Sequence, residues 1–257
     1  MKPKALIMSG YGLNCEEETK YAFDRSGANA DIVHINDLIG GEKKLEDYQI
    51  MAFPGGFAYG DDTGSGNAFA NKIKNNLQEK VTRFVNGDHL VIGICNGFQI
   101  LANLKLLPID FALTHNDSAR YTVRWVDMQV ENASPWLVGI KTISLPIAHG
   151  EGKLFADKKN MSAMKKKNLI ALRYIEGEIS KYQKLPFNPN GSLDDIAGIT
   201  DVSGKMLGMM PHPERAQFFT NLPHWPFLKE QYLREGKTVP KDGPGLSLFK
   251  NAVRYFL

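Results

Sequence analysis

Residues 90–101 read LVIGICNGFQIL, a short apolar run that ends at a cysteine and continues with small and polar residues. The run is typical of a buried strand, and a helix can begin directly after it. Gly93 and Gly97 lie two residues before and two residues after Cys95, which is the spacing of a nucleophile elbow with cysteine in the place of serine. The stretch therefore predicts a strand, a sharp turn that carries Cys95, and a helix.

Cys95 is open to two interpretations at this point. Free cysteine is among the most buried residue types, so Cys95 could be a core thiol at the end of a strand. A thiol at a helix N-terminus is instead favoured as the thiolate and can act as a nucleophile. The choice depends on whether the rest of the chain supplies a base.

Strand-like and helix-like segments alternate through the first half of the chain. Apolar runs at KALIMS, ADIVHIND and YQIMAFPGG predict strands, and the segment from about Ser65 to Val85 predicts a long helix. An earlier helix follows Asn14, a candidate N-cap, and ends at Gly27. This rhythm predicts an α/β fold with a mostly parallel central sheet and helices on both faces.

The second half is less regular. YTVRWVDMQVE alternates and predicts a strand with one exposed face, and residues 201–204 (DVSG) predict a hairpin turn between two later strands. GPGLSLFKNAVRYFL predicts a closing amphipathic helix. No linker, repeat or low-complexity tract divides the chain, so we expect residues 1–257 to form a single domain.

Composition excludes several classes of protein. The formal net charge of +3 over 257 residues is too small to indicate a nucleic-acid-binding protein. No apolar run approaches the length of a membrane span, and the opening MKPKALIMSG lacks a signal-peptide core. Two cysteines make a disulfide scaffold improbable and favour a reducing cytoplasm, and no cysteine–histidine cluster has zinc spacing. We therefore expect a cytoplasmic protein without a metal site.

The stretch MMPHPER supplies a base and an acid for Cys95. Pro213 disfavours the helical conformation at His212, and residues two apart in an extended chain point the same way. Glu214 can then hold the tautomer of His212, as the carboxylate does in a Ser–His–Asp triad. A proline-rich surface turn would explain this stretch if it stood alone, but its occurrence with Cys95 favours a catalytic triad.

Acyl transfer also needs donors for an oxyanion. The turn at Pro54–Phe57 offers the backbone N–H groups of Gly55 and Gly56, and the Asn96 N–H follows the nucleophile. An ordinary glycine-rich turn is the alternative, whereas the spacing of a phosphate-binding loop is absent. Asp61 and Asp62 are interpreted as loop charges or a helix cap rather than metal ligands, and Cys15, with no histidine and acid of its own, as structural or incidental.

Six stretches together resemble the class I (triad-type) glutamine amidotransferases, and among them the glutaminase subunits of phosphoribosylformylglycinamidine synthase. They are GLNCEEET, PGGFAYGDD, GICNGFQIL, PIAHGEGKL, NPNGSLDDIAGITD and GMMPHPERA, which extend from about Gly12 to Ala216. The resemblance implies a flavodoxin-like α/β fold. It also implies that Cys95 forms a γ-glutamyl thioester, that His212 relays the proton and that Glu214 orients His212.

The resemblance further implies a substrate, partners and a division of labour. Gly56 and Asn96 would donate to the oxyanion, with Gly55 beside them, and Gln99 would lie near the glutamine pocket. Ammonia would pass to a synthetase subunit that amidates formylglycinamide ribonucleotide in purine biosynthesis, with a small bridging subunit as a further candidate partner. ATP and magnesium are expected on the synthetase and no cofactor on this chain, which has no Walker motif.

Alternatives remain at the level of sequence. The same triad could serve a different amidotransferase or a free-standing γ-glutamyl hydrolase, and a binding subunit with an inactive site is a third reading that the intact triad opposes. His149, Gly150 and Glu151 of PIAHGEG are assigned only a supporting or interface role. The segment at about 218–243 is absent from shorter members of the family and is interpreted as a docking element or as surface decoration.

Overall fold

The computed structural model describes residues 2–257. The strands are β1 (Lys4–Ser9), β2 (Asn29–His34), β3 (Ile50–Phe53), β4 (Leu90–Ile94), β5 (Ala112–Thr114), β6 (Thr122–Val130), β7 (Thr142–His149), β8 (Lys153–Phe155), β9 (Ile170–Ile175), β10 (Ile196–Thr200) and β11 (Met206–Met209). The helices are α1 (Glu16–Ser26), α2 (Ile35–Gly40), α3 (Asn67–Val85), α4 (Asn96–Leu104), α5 (Lys158–Lys166), α6 (Glu178–Gln183), α7 (Trp225–Arg234) and α8 (Leu246–Arg254).

Nine strands form one sheet in the order β2-β1-β3-β4-β11-β10-β9-β6-β7, and β5 pairs with β8 in a separate antiparallel ribbon. The first five strands of that order are parallel, and the remaining pairs are antiparallel. The predicted α/β fold with a mostly parallel central sheet is confirmed. Its antiparallel extension includes β6. The single exposed face predicted for β6 is wrong over Val126–Met128, which are all buried because α6 packs against this strand.

The connections place helices on both faces of the parallel strands. The chain passes from β1 to β2 in one direction across the sheet and from β3 to β4 in the other. Since such crossovers are right-handed, α1 and α3 must cover opposite faces. Helix α1 packs with α8, and α3 packs with α4. Every residue of β3 and β4 is buried as a result, which is why these strands are apolar throughout.

Most predicted boundaries hold within two residues, with two corrections. The strand predicted at ADIVHIND ends at His34, and its last three residues, Ile35–Asp37, begin α2. Helix α1 begins at Glu16 with Cys15 at its N-cap, so the prediction of Asn14 as N-cap is wrong. The backbone N–H groups of Asn14 and Cys15 both donate to the Gly55 oxygen, at 3.2 and 3.1 Å, which fixes them in a loop before the helix. Gly27 caps the helix with φ 101° as predicted, and β10 and β11 form the predicted hairpin.

The segment at about 218–243 lies on the surface of the protein. Its two ends are joined, because the Phe219 N–H donates to the Lys241 oxygen and the Gly243 N–H to the Gln217 oxygen, at 3.1 and 2.8 Å. Between them lies α7, which has no buried residue, whereas six of the nine residues of α8 are buried. No helix within residues 2–257 is long and apolar enough to cross a membrane.

Candidate active site

The three stretches predicted to carry chemistry meet at one edge of the sheet. Strands β3, β4 and β11 are adjacent and parallel, so the residues that follow their carboxyl ends are neighbours. These residues are the glycine turn after Phe53, Cys95 after Ile94, and the proline-rich stretch after Met209. Ligands of open α/β sheets bind at this edge.

Cys95 lies on a strained turn between β4 and α4. Its φ of 52° and ψ of −108° are unusual for a residue with a side chain, and its N–H donates to the Met209 oxygen at 2.8 Å. The helix can start this close to the sheet because Gly97 has no Cβ, which would overlap the Phe53 carbonyl oxygen. Cys95 is buried but lines a cavity, as a nucleophile elbow requires.

His212 and Glu214 form a buried hydrogen-bonded pair. His212 Nδ1 lies 2.5 Å from Glu214 Oε1, and both residues are 1% exposed. The His212 backbone N–H donates to the Pro146 oxygen at 2.8 Å, which fixes the main chain beside β7. Residues Pro213–Arg215 form a short 3₁₀ turn. The predicted contact is therefore present, but a turn brings the two side chains together rather than an extended chain.

The surroundings of His212 favour its protonated form. Burial lowers the pKa of His212, but the Glu214 carboxylate and then the Cys95 and Cys15 thiols raise it, and the net pKa lies well above the usual value. His212 Nε2 has no hydrogen-bond partner among the described residues. Nε2 is thus the ring atom left to exchange a proton with Cys95.

Two backbone N–H groups are available for an oxyanion. The Asn96 N–H is the first of α4, where no intrahelical acceptor exists. The Gly56 N–H donates to no other backbone or side-chain group within residues 2–257, although Gly56 is bridged to Leu13 by neighbouring hydrogen bonds. Gly55 has a different place: its Cα faces the ring of His212.

A cavity of about 240 Å³ opens in front of Cys95. This volume is below the range typical of drug-sized ligands and suits a single small metabolite. Gln99 lines it but is itself held by the protein, since its Nε2 donates to the Glu151 oxygen at 2.6 Å and its Oε1 accepts from Asn96 Nδ2 at 2.8 Å. Tyr121 and Phe57 form part of the rim, with ring centroids 5.9 Å apart.

Two carboxylates of this cavity were not predicted as site residues. Asp61 accepts from Asn96 Nδ2 at 3.1 Å, and burial raises its pKa above the usual range. Glu151 lies on the same wall. The position of Glu151 within PIAHGEG was a signal for it, whereas Asp61 looked like a loop charge because sequence does not show which loops turn inward.

His149 is a second buried histidine near the site. Burial lowers its pKa to about 3, with a further contribution from His212, so His149 is neutral in the folded protein. Its Nδ1 lies 3.1 Å from Asn116 Oδ1, and the Gly152 N–H also donates to Asn116 Oδ1 at 3.3 Å. These contacts fix the turn that carries Glu151.

Cys15, interpreted from the sequence as structural or incidental, lies beside the histidine and the acid of the predicted triad. Its sulfur, a ring nitrogen of His212 and a carboxylate oxygen of Glu214 all lie within 4.8 Å of one another. Arg215 also donates to the Cys15 sulfur, with 2.9 Å between Arg215 Nη2 and Cys15 Sγ. Cys15 therefore belongs to the surroundings of the same histidine and acid as Cys95, on a loop 80 residues earlier in the chain that sequence could not place there.

Fold and site together define the class of triad-type glutamine amidotransferases. A family model described as a CobB/CobQ-like glutamine amidotransferase domain matches residues 2–256. The site agrees with this match, since it has a cysteine on a nucleophile elbow and a histidine–carboxylate pair after an adjacent parallel strand.

Relatives narrow the assignment further. A protein of Methanococcus maripaludis called phosphoribosylformylglycinamidine synthase subunit PurQ is 48% identical over 265 residues, which cover 99% of this chain and 97% of that protein. A protein of the same name from Dehalococcoides mccartyi is 41% identical over 262 residues, covering 99% and 98%. A chain of the structure of PurLQS from Thermotoga maritima is 30% identical with a TM-score of 0.72, and the match covers 100% of both chains. The chain belongs to the PurQ family.

Proposed function

We propose that this chain is the glutaminase subunit of phosphoribosylformylglycinamidine synthase and releases ammonia from glutamine for purine biosynthesis. The observation that carries the proposal is the Cys95–His212–Glu214 arrangement at the carboxyl edge of the sheet, in a chain that PurQ proteins match over almost its whole length. A different amidotransferase or a free-standing hydrolase is less favoured, since the relatives share one name.

The first half-reaction follows from the placement of the groups. The Cys95 thiolate attacks the side-chain carbonyl carbon of glutamine, and the N–H groups of Gly56 and Asn96 donate to the oxyanion that forms. The tetrahedral intermediate collapses as protonated His212 gives its proton to the leaving nitrogen, which departs as ammonia. A γ-glutamyl thioester remains on Cys95.

Hydrolysis completes the cycle. Neutral His212 takes a proton from water, the resulting hydroxide attacks the thioester, and glutamate leaves as the Cys95 thiolate is regenerated beside protonated His212. Glu214 keeps His212 Nδ1–H bound throughout, so that Nε2 is always the atom that gives and takes the transferred proton. Asp61 and Glu151, on the cavity wall, are suited to bind the α-ammonium group of glutamine.

The remaining steps belong to other subunits. We infer that ammonia passes to a synthetase that holds ATP and magnesium, and that this chain itself needs no cofactor. The name PurLQS of the Thermotoga maritima structure supports an assembly of several subunits, with a small bridging subunit among the candidates. A cytoplasmic location is also part of the proposal, supported by the two free cysteines.

The test uses the chain together with its co-purified partner subunits. Cys95→Ala is expected to abolish glutamine-dependent amidination of formylglycinamide ribonucleotide while ammonia-dependent amidination continues. An electrophilic glutamine analogue should label the Cys95 peptide of the unsubstituted chain only. Retention of glutamine-dependent synthesis by Cys95→Ala would disprove the role of this thiol, and glutamine hydrolysis without any acceptor-dependent synthesis would favour the free-standing hydrolase.

A further inference from the structure

Cys15 has no part in the mechanism above, yet its sulfur is buried beside the base and the acid of that mechanism. The S–H of Cys15 points to Asn14 Oδ1 at 3.5 Å, which leaves sulfur lone pairs to accept the N–H of Arg215 at 2.9 Å. Its main chain is equally fixed, because the Cys15 N–H donates to the Gly55 oxygen and the Cys15 oxygen accepts from Thr19 Oγ1 at 2.7 Å. The sulfur is therefore a rigid acceptor.

Arg215 is a potential competitor for the triad acid. Its Nε lies 3.7 Å from Glu214 Oε1, a distance too long for a hydrogen bond. Arginine prefers to bind a carboxylate through two parallel N–H groups. Glu214 Oε2 has no hydrogen-bond partner among the described residues, so it is free to accept an N–H of the Arg215 guanidinium. In the structure one arm of the guanidinium is bound to sulfur instead.

We propose that Cys15 is a positioning residue for glutamine hydrolysis: its sulfur binds one arm of Arg215 and thereby reserves the Glu214 carboxylate for His212. This inference rests on the proposed function, because it concerns the proton relay of that reaction. Without the sulfur, Arg215 is free to rotate onto Glu214 and to draw the carboxylate away from Nδ1. His212 would then lose the contact that fixes its tautomer and its orientation toward Cys95.

The arrangement also predicts a change in pH dependence. Cys15 is one of the groups that raise the pKa of His212. The charged or titratable groups around His212 are Glu214, Cys95, Cys15, Arg215, His149 and Tyr121. Loss of the Cys15 sulfur, and movement of the Glu214 carboxylate from His212 to Arg215, both lower the pKa of His212. His212 then loses its proton at lower pH, and the alkaline limb of activity should move to lower pH.

A double-mutant cycle separates this role from simple packing. The variants are Cys15→Ala, Arg215→Gln and the double variant, each in the full chain with its partner subunits. Cys15→Ala is expected to lower kcat for glutamine hydrolysis about tenfold, as couplings between contacting residues allow, with KM changed less than about twofold. In the Arg215→Gln background no cation competes for Glu214, and Cys15→Ala should then change kcat less than about twofold.

Two further variants serve as controls. Cys15→Ser retains an acceptor for Arg215 and should recover most of kcat and restore the alkaline limb. Cys15→Val fills the volume without accepting a hydrogen bond, and it replaces Cys15→Ala in the cycle if that variant does not fold. Equal losses from Cys15→Ala in both backgrounds, or an unshifted alkaline limb, would overturn the proposal and leave Cys15 a packing residue.

Failure of the proposed function gives a different result. In that case neither the unsubstituted chain nor the Cys15 variants show glutamine-dependent synthesis when their partners are present. If the unsubstituted complex is active and the cycle shows no coupling, only the role of Cys15 is wrong. Because the chain has two cysteines, alkylation of Cys95 in the Cys15 variants is also read without interference from the second thiol.

Discussion

Gly55 shows how closely the base is enclosed. A Cβ at this position would lie 2.7 Å from His212 Cε1 and 3.3 Å from both His212 Nδ1 and the Cys15 sulfur. The ring edge formed by Cε1 and Nδ1 therefore packs against a backbone without a side chain. The adjacent Gly56 has a free backbone N–H, which we propose donates to the oxyanion. One glycine thus makes room for the His212 ring and the next presents a backbone donor.

The substitution Gly55→Ala is expected to displace the His212 ring and to lower kcat roughly 100-fold, since misplacement by about 1 Å can cost that much. Gly40→Ala is the matched control, because the nearest atom to its added Cβ is Glu42 Oε1 at 3.8 Å. Steady-state glutaminase kinetics of the complex measure both. A kcat of Gly55→Ala within twofold of that of Gly40→Ala would show that the ring has more freedom than these distances allow.

His149 should make the protein sensitive to acid. Its pKa is about 3 in the folded protein and near 6.5 when unfolded, so the unfolded state binds more protons between these values. The stabilising contribution is therefore complete above about pH 6.5 and is lost as the pH falls toward 3, with a slope of up to about 1.4 kcal/mol per pH unit.

His149→Gln should show a shallower fall in the free energy of unfolding over this range, measured by urea denaturation at a series of pH values. His115→Gln is the control, because the side chain of His115 is 80% exposed. Parallel slopes for the unsubstituted chain and His149→Gln would contradict a neutral buried histidine.

At the scale of elements, two helices near the end of the chain contribute differently to the core. Helix α8 buries Phe249 fully against Phe23 of α1, with ring centroids 4.9 Å apart, and so closes one face of the sheet. Helix α7 buries none of its residues, and Phe227 on it is 65% exposed. The amphipathic sequence of α8 predicted its role, whereas the sequence of α7 left open whether it docks a partner or decorates the surface.

Phe227→Ala is expected to change the free energy of unfolding by less than about 0.5 kcal/mol, as exposed substitutions do. Phe249→Ala, the same change on α8, should cost about 3–5 kcal/mol because it leaves a cavity in the core. Chemical denaturation of both variants checks the contrast. A cost above about 2 kcal/mol for Phe227→Ala would mean that α7 supports the fold rather than merely covering it.

At the scale of the whole molecule, one sheet runs from the parallel strands that carry the site to the antiparallel strands beyond β11. Both halves of the sheet position His212. This residue follows β11, the last parallel strand, and its backbone N–H donates to the Pro146 oxygen of β7, the outermost antiparallel strand. The prediction of a single domain over residues 1–257 therefore takes a testable form.

Urea unfolding followed by far-ultraviolet circular dichroism and by tryptophan fluorescence should give coincident transitions. Trp136 lies buried in the interface with α1 and α8, and Trp125 lies on β6, so the fluorescence reports on both halves of the sheet. Transitions that separate would divide the chain into two folding units at the boundary between the parallel and antiparallel strands.

The sequence by itself determined the α/β class, the elbow at Cys95 and the pairing of His212 with Glu214, because each depends on neighbours in the chain. Periodicity, glycine spacing and a proline between two polar residues are local signals, and local sterics translate them into structure. The partners of Gln99 and the half-buried position of Asp61 carried no such signal, since they depend on contacts between loops.

Only the tertiary structure decided the place of Cys15. Cys15 is 197 residues from His212 in the chain. Nothing in the residues around Cys15 indicates that β1 and β11 lie in the same sheet with only β3 and β4 between them, so that the segments after both strands meet at one edge. Strand order in a sheet is set by crossovers that bury both faces, a property of the whole chain. That order brings the sulfur to Arg215, and with it the second contact that we propose holds the triad acid in place.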